Sequence, residues 1–163
     1  MTLARALIVV ALAGLCAACG FRPLYGTGGA NNAALTTIYV QPVTDTAAYE
    51  LRNTLIDLLD SDGNQAGKNY NLSLVFHRTS QPLALQNDAA ITRYNDTLTV
   101  DYVLTDNSGK ELTHGSQSNL SAYNVVQSPY ATLVAQRDSD KRSTQEIAER
   151  IRIDLSLYFS KTR

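Results

Sequence analysis

The chain has 163 residues, the length of one ordinary domain, and 44% of them are hydrophobic while 18% are charged. Its formal net charge is -1, so the composition gives no reason to expect nucleic acid as a partner, or attraction of the whole chain to an anionic membrane. These values predict a folded module with one modest core, on which any anionic ligand has to be bound by a local basic patch.

The first residues have the layout of a secretory targeting segment. One basic residue, Arg5, precedes an apolar run from Ala6 to Ala18, and Cys19 follows directly. This run is shorter than the roughly 20 residues that a membrane-spanning helix needs. We therefore expect a lipoprotein signal peptide at residues 1–18 that is cleaved, with a retained signal anchor as the alternative.

Both cysteines of the chain lie at this junction. Cleavage before a lipid-modified cysteine needs small side chains immediately upstream, and Cys19 follows two alanines whereas Cys16 follows a leucine. We therefore expect Cys19 to carry a covalent N-acyl diacylglycerol group, since several acyl chains give stable membrane anchoring. The alternative is a disulfide between Cys16 and Cys19, which an oxidising compartment permits if the signal is retained. Gly20 follows Cys19 where an inner-membrane lipoprotein commonly has Asp, and this favours the periplasmic face of the outer membrane.

A tether and then a strand are predicted after the anchor. The segment GTGGANNAA, residues 26–34, is small, polar and rich in glycine, so it cannot bury enough apolar surface to become ordered. We expect residues 19–34 to form a lipidated N-terminus with a flexible tether, and residues 35–163 to form a single domain. Ile38 and Val40 alternate with polar neighbours between Leu35 and Pro42, which predicts a first strand.

Two amphipathic helices are predicted, one near each end of the domain. The first lies between Asp45 and Asp62, with Asp45 or Thr46 as N-cap, and the second lies between Pro129 and Tyr158. The polar run RDSDKRS is expected to bend or interrupt the second helix. The apolar stripes that define the two helices are Ala48, Leu51, Leu55, Leu58 and Leu59 in the first, and Ile147, Ile151, Leu155 and Tyr158 in the second.

An antiparallel meander is predicted between the helices. The segment NYNLSLVFHRTS alternates apolar and polar residues, and Pro82 beyond it limits or bends the strand. TLTVDYVLTD alternates more regularly, the turn DNSG follows at Asp106 to Gly109, and ELTHGSQSNLSAYNV from Glu111 returns as the third strand.

The sequence contains no pattern of residues that indicates catalysis or a metal site. The only histidines, His77 and His114, lie on separate predicted strands, and no cysteines accompany them at the spacing of zinc ligands. There is no GxSxG motif, and carboxylate pairs such as Asp60–Asp62 and Asp138–Asp140 are most simply explained as solvated. We therefore expect no enzyme activity, no metal, and no cofactor besides the lipid on Cys19.

The run CGFRPLYG from Cys19 to Gly26, followed by strand, helix, meander and terminal helix, resembles the LPS-assembly lipoprotein family, LptE. The segment TRYNDTLTVDYVLTDNSGKEL is the next most similar, and the resemblance covers essentially the whole mature chain. It implies an α+β fold, a two-layer sandwich in which two helices pack on one face of a four-stranded, mostly antiparallel sheet. It also implies a subunit that plugs and helps assemble the LptD β-barrel, in the translocon that delivers lipopolysaccharide to the outer leaflet.

Direct contact with lipopolysaccharide would need basic side chains, since lipid A carries phosphates. The resemblance implies such a contact near the strand that begins after the TR motif, at Arg93, and Arg78 and Lys110 are nearby candidates. For each of them an ordinary exposed charge remains the alternative. Two other functions stay open, an auxiliary or docking subunit of another envelope transport system and a lipid-anchored periplasmic enzyme.

Overall fold

A computed structural model of the protein describes residues 30–85 and 91–162. The predicted signal peptide, Cys19 and the FRPLYG segment lie outside these residues, so cleavage and lipidation stay predictions. The elements in chain order are α1 (Ala30–Leu35), β1 (Ile38–Val40), α2 (Thr46–Leu58), β2 (Tyr70–Leu85), β3 (Ile91–Asp106), β4 (Glu111–Asn124) and α3 (Pro129–Lys161).

The four strands form one sheet in the order β1-β2-β3-β4. The short β1 is parallel to β2, with Val40 opposite Leu72, whereas β2, β3 and β4 are antiparallel neighbours. The predicted meander is therefore confirmed. A mostly antiparallel sheet with the two long helices on one side also confirms the predicted α+β class.

The core lies between the sheet and the two long helices. Inward residues alternate along each strand as predicted, and those of the interior strand β3 are buried from Asp96 to Leu104. The predicted helical stripes also face the core. Its apolar side chains that are at most 1% exposed are Ile38, Val40, Leu51, Leu55, Leu59, Leu72, Leu98, Val100, Leu104, Ile147, Ala148, Ile151 and Leu155.

Both long helices begin at a side-chain cap. The Asp45 carboxylate accepts hydrogen bonds from the backbone N–H groups of Ala47 and Ala48, at 2.8 and 3.2 Å. The Ser128 hydroxyl accepts one from Ala131 N–H at 3.4 Å, and Pro129 takes the first helical position. These groups satisfy backbone donors that have no partner inside the helix, and they explain where α2 and α3 start.

Three features differ from the sequence-based expectations. Ala30 to Leu35, largely within the predicted tether, form the short helix α1, because Leu35 inserts into the core and is only 2% exposed. α3 continues without interruption through RDSDKRS, where Arg142 and Asp138 form an ion pair one turn apart. β2 continues past Pro82 to Leu85, with register shifts just after the proline.

The tolerance of β2 for Pro82 has a geometric cause. β1 pairs with β2 only as far as Leu72, whose carbonyl accepts from Gln41 N–H. Pro82 lies ten residues further along, so its nitrogen faces the same outer side, where no described strand follows. The missing N–H therefore removes no bond of the sheet. No helix among the described residues is long and apolar enough to cross a membrane.

Candidate functional site

The three basic residues predicted to contact lipopolysaccharide lie in different places. Arg78 of β2 donates through Nη2 to Asp140 Oδ2 of α3, at 2.8 Å. Arg93 is exposed near the start of β3, and it faces away from the helices because it lies five positions from the inward-facing Leu98. Lys110 is exposed in the turn after β3, at the other end of that strand. The fold does not join them into one basic patch.

Arg78 opens onto a cavity of about 630 Å³ between the start of α2, the middle of β2 and the first half of α3. This volume is within the range of small-molecule sites. The lining combines apolar side chains with charges of both signs, a combination suited to binding by charge-assisted hydrogen bonds. The lining residues are Asp45, Ala47, Glu50, Phe76, Arg78, Leu133, Gln136, Arg137 and Asp140.

The ion pair between Arg78 and Asp140 is partly buried, with side chains 28% and 13% exposed. Burial raises the pKa of Asp140, the Arg78 guanidinium opposes this shift, and the neighbouring carboxylates Asp96 and Asp45 reinforce it. The pair joins β2 to α3 across the cavity. The expectation that Asp138 and Asp140 are both solvated is therefore wrong for Asp140, because the helix turns only Asp138 toward water.

A polar layer continues the core beneath this part of α3. Asp96 of β3 and Ser139 of α3 have no exposed surface, and Ser143 is 1% exposed. These positions extend the apolar stripes, since Asp96 precedes Leu98 by two residues and Ser143 precedes Ile147 by four. Extending the strand alternation back from Leu98, and the helical spacing back from Ile147, would have identified these buried residues from the sequence.

Tyr123 of β4 belongs to the same region. Burial raises the pKa of its hydroxyl, Asp96 and Tyr94 reinforce the shift, and Arg78 opposes it while Asp140 adds to it. Its ring stacks on that of Tyr94, the directly opposite residue of β3, with the ring centres 5.7 Å apart. The two tyrosines therefore lie beside the buried carboxylate and the ion pair. Of this region the sequence predicted Arg78 as a contact residue, but not Arg137, Asp96 or Asp140.

The sequence profile of the LptE family, described as lipopolysaccharide-assembly, matches residues 35–156. The chain belongs to this family. The match begins at Leu35 in the core and ends within α3, so it covers all four strands, the whole of α2 and most of α3. The resemblance inferred from CGFRPLYG and the order of the elements is thereby confirmed.

Known proteins resemble this LptE family member over most of its length. An uncharacterized protein of Rickettsia prowazekii is 28% identical over 154 residues, which are 94% of this chain and 96% of that protein. A crystal structure from Caulobacter crescentus, described as that of a lipoprotein, has a TM-score of 0.70 at 25% identity and covers 83% of this chain and 98% of its own. Rare lipoprotein B of Shewanella oneidensis has a TM-score of 0.59 at 14% identity, over 77% and 96% of the two chains, and shares the fold.

Proposed function

We propose that the protein is a lipid-anchored outer-membrane lipoprotein that occupies the lumen of an LptD-type β-barrel, helps that barrel assemble, and thereby acts in lipopolysaccharide delivery to the outer leaflet. The observation that carries the proposal is the match of the LptE family profile to residues 35–156, which are the whole of the sheet and most of the helical layer. Similarity to rare lipoprotein B, a lipoprotein by its description, agrees with the proposed anchoring.

The uncovered face of the sheet supports occupancy of a barrel lumen. On β2, β3 and β4 this face carries mostly short uncharged polar side chains, and its few charged or titratable groups include His77 and Asp101, which are 3.5 Å apart, and Arg93. The interior of an outer-membrane barrel is polar, so a hydroxyl-rich surface fits it without burying unpaired charges. The hydroxyl side chains of this face are Ser73, Thr79, Thr97, Thr99, Thr105, Ser116 and Ser118.

The proposed anchor also has a suitable reach. Ten residues lie between Cys19 and Ala30, where α1 begins. A chain of that length spans at most about 40 Å when fully extended. A lipid on Cys19 would therefore keep the domain next to the membrane surface while leaving it free to enter a barrel.

For direct lipopolysaccharide contact, Arg93 is the strongest of the three predicted residues. It is exposed, whereas Arg78 is already paired with Asp140 and Lys110 lies at the far end of the hairpin. A free guanidinium can take both oxygens of a phosphate in a bidentate pair. We expect Arg93→Glu to weaken binding of purified lipopolysaccharide and Arg93→Lys to retain most of it.

Co-purification tests the proposal. The tagged full-length protein, extracted in mild detergent, is expected to retain a large outer-membrane β-barrel, and a Cys19→Ala variant is expected to leave the membrane fraction. Depletion of the protein is expected to lower the lipopolysaccharide exposed at the cell surface. Extraction without any barrel, or normal surface lipopolysaccharide after depletion, would contradict the proposed role and favour an auxiliary subunit of another transport system.

A further inference from the structure

The buried polar layer under α3 contains oxygen atoms that no described residue satisfies. Both carboxylate oxygens of Asp96, Oδ1 of Asp140, and the hydroxyl oxygens of Ser139 and Ser143 are inaccessible and have no hydrogen-bond partner among the described residues. An unpaired carboxylate in the interior costs far more free energy than one in water. Five such atoms in one part of a small domain call for a further group that binds oxygen.

The pairing of α3 with β4 places these atoms in one cluster. Asp154 accepts a hydrogen bond from Gln117 at 2.7 Å, and Glu146 accepts one from Asn119 at 2.6 Å, so the helix runs antiparallel to the strand. The next inward residue of β4 is Ser121, which lies opposite Asp96 of β3. Ser143 lies one turn before Glu146 in α3.

On the other side of the cluster, Arg78 lies opposite Leu98, only one inward position from Asp96, and it reaches Asp140 on α3. Asp96 is thus enclosed by the serine-bearing turns of α3 above it and by neighbouring strands on each side.

Negative charges outnumber positive charges in this region. The cavity contributes Asp45, Glu50 and Asp140, and Asp96 lies beneath it, whereas the only cationic side chains of the lining are Arg78 and Arg137. Four carboxylates against two guanidinium groups leave an excess of two negative charges. Asp140 lines the cavity, which places one of these four carboxylates at the edge of a space that is open to solvent and next to the buried oxygens.

We propose that Asp96, Asp140, Ser139 and Ser143 bind a divalent cation with oxygen ligands, of the Ca²⁺ or Mg²⁺ class, between β3 and the first half of α3. Hard divalent cations take carboxylate, hydroxyl and water oxygens, and a site with two carboxylates completes its coordination with water. The cation neutralises the two excess charges and fastens the serine-bearing turns of α3 to the sheet. The spacing of histidines and cysteines in the sequence does not indicate this site, because all of its proposed ligands are oxygen atoms.

Binding is tested on the full mature protein in detergent, after removal of metals by a chelator. CaCl₂ and MgCl₂ are titrated separately, and thermal unfolding is followed by circular dichroism. A cation that binds only the folded state raises the midpoint in proportion to the logarithm of its concentration above the dissociation constant. We expect this rise for at least one of the two cations and no comparable rise with choline chloride at the same ionic strength.

Tb³⁺ gives a second readout that does not depend on stability. It replaces Ca²⁺ at oxygen sites and becomes luminescent when a nearby aromatic ring transfers energy to it. The chain has no tryptophan, and Tyr94 and Tyr123 lie beside Asp96, so tyrosine excitation should produce terbium emission. Excess Ca²⁺ is expected to suppress this emission by displacement.

The variants separate this site from adventitious binding. Asp96→Asn preserves shape and is expected to abolish both the terbium emission and the thermal response. Asp101→Asn removes a half-exposed carboxylate from the opposite face of the same strand and is expected to change neither. If Asp96→Asn does not fold, Ser143→Ala serves instead, with at least a tenfold weaker response expected.

Absence of any cation response in the wild-type protein would refute the site, as would a response that survives Asp96→Asn. Stabilisation by mild acid in the absence of metal, with no response to cations, would show that a proton occupies the cluster and would also refute it. The site does not depend on the proposed partnership with a barrel, so the two proposals fail separately.

Discussion

Gly115 of β4 lies directly opposite Tyr102 of β3, and replacing it with alanine is expected to destabilise the protein through that tyrosine. A Cβ at position 115 would lie 2.5 Å from the Tyr102 hydroxyl oxygen and 2.6 and 2.9 Å from two ring carbons. The ring therefore crosses the strand over the missing side chain. Tyr102 is 4% exposed and donates to Asp154 at 2.9 Å, so it cannot move without losing this contact.

The size of the effect follows from these contacts. A hydrogen bond to a carboxylate is worth about 1.5–3 kcal/mol, and overpacking a core costs about 1–3 kcal/mol. Alanine recovers about 0.5–1 kcal/mol because glycine loses more backbone freedom on folding. We therefore expect Gly115→Ala to lower the free energy of unfolding by about 2–4 kcal/mol, measured by urea denaturation of the mature protein.

Two comparisons decide whether Tyr102 is the cause. Ser116→Ala, at the next residue on the exposed face, is expected to change the free energy by less than about 0.5 kcal/mol. In a Tyr102→Leu background the added methyl group meets no ring, so Gly115→Ala should then cost much less than in the wild type. A cost that is equal in both backgrounds, or an unchanged stability of Gly115→Ala itself, would refute this explanation.

Further predictions concern the ion pair, the pH dependence and the core. Arg78→Ala is expected to lower stability by about 1–3 kcal/mol, because it leaves the carboxylate of Asp140 mostly buried without its partner, whereas Arg93→Ala should be neutral within about 0.5 kcal/mol in the same urea assay. The pKa of Asp140 is raised in the folded state above its ordinary 3.8. The stability that the folded protein gains from protonating Asp140 is therefore complete below pH 3.8 and is lost as the pH rises through the folded pKa. Between the ordinary pKa and the folded pKa, the wild type should lose stability relative to Asp140→Asn as the pH rises. If the free energies of unfolding of the two proteins change with pH in parallel, the raised pKa of Asp140 is contradicted. Leu155→Ala, at a fully buried position, is expected to cost about 2–5 kcal/mol by denaturant titration.

The parts of the fold that sequence patterns predict are those where periodicity and burial agree. The alternation around Val100 and the stripe around Ile151 identify inward residues correctly, because each lies between a sheet and a helix that exclude water. α1 was missed because its composition indicates a linker, whereas the contacts of Leu35 and Ala34 with the core stabilise it. Local propensity carries no information about such a contact.

The candidate site was harder to predict, for a related reason. Its cavity arises where three elements distant in sequence meet, and no spacing rule links Phe76 of β2 to Leu133 of α3. Arg78 was selected as a possible phosphate contact, but its partner Asp140 was classed with solvated acids. Charge in a polar run is usually solvated, and only the packing of the helix on the sheet determines which acid of the run becomes buried.

The distribution of burial along α3 predicts that this helix opens from its start. No residue from Pro129 to Asp138 is buried, and Tyr130, Leu133 and Val134 leave apolar surface exposed there. The polar layer follows at Ser139, and the apolar core begins only at Ile147. Local opening free energy follows local burial, so amide hydrogens of the first three turns should exchange much faster than those beyond Ile147.

If a cation fastens the polar layer, adding Ca²⁺ or Mg²⁺ should slow exchange at Ser143 and the adjoining turn while leaving the first two turns of α3 unchanged, since those turns precede the proposed ligands. Uniform protection along α3 without any cation would contradict the predicted order of opening. It would mean that the helix is stabilised chiefly by interactions within itself and not by its contacts with the sheet.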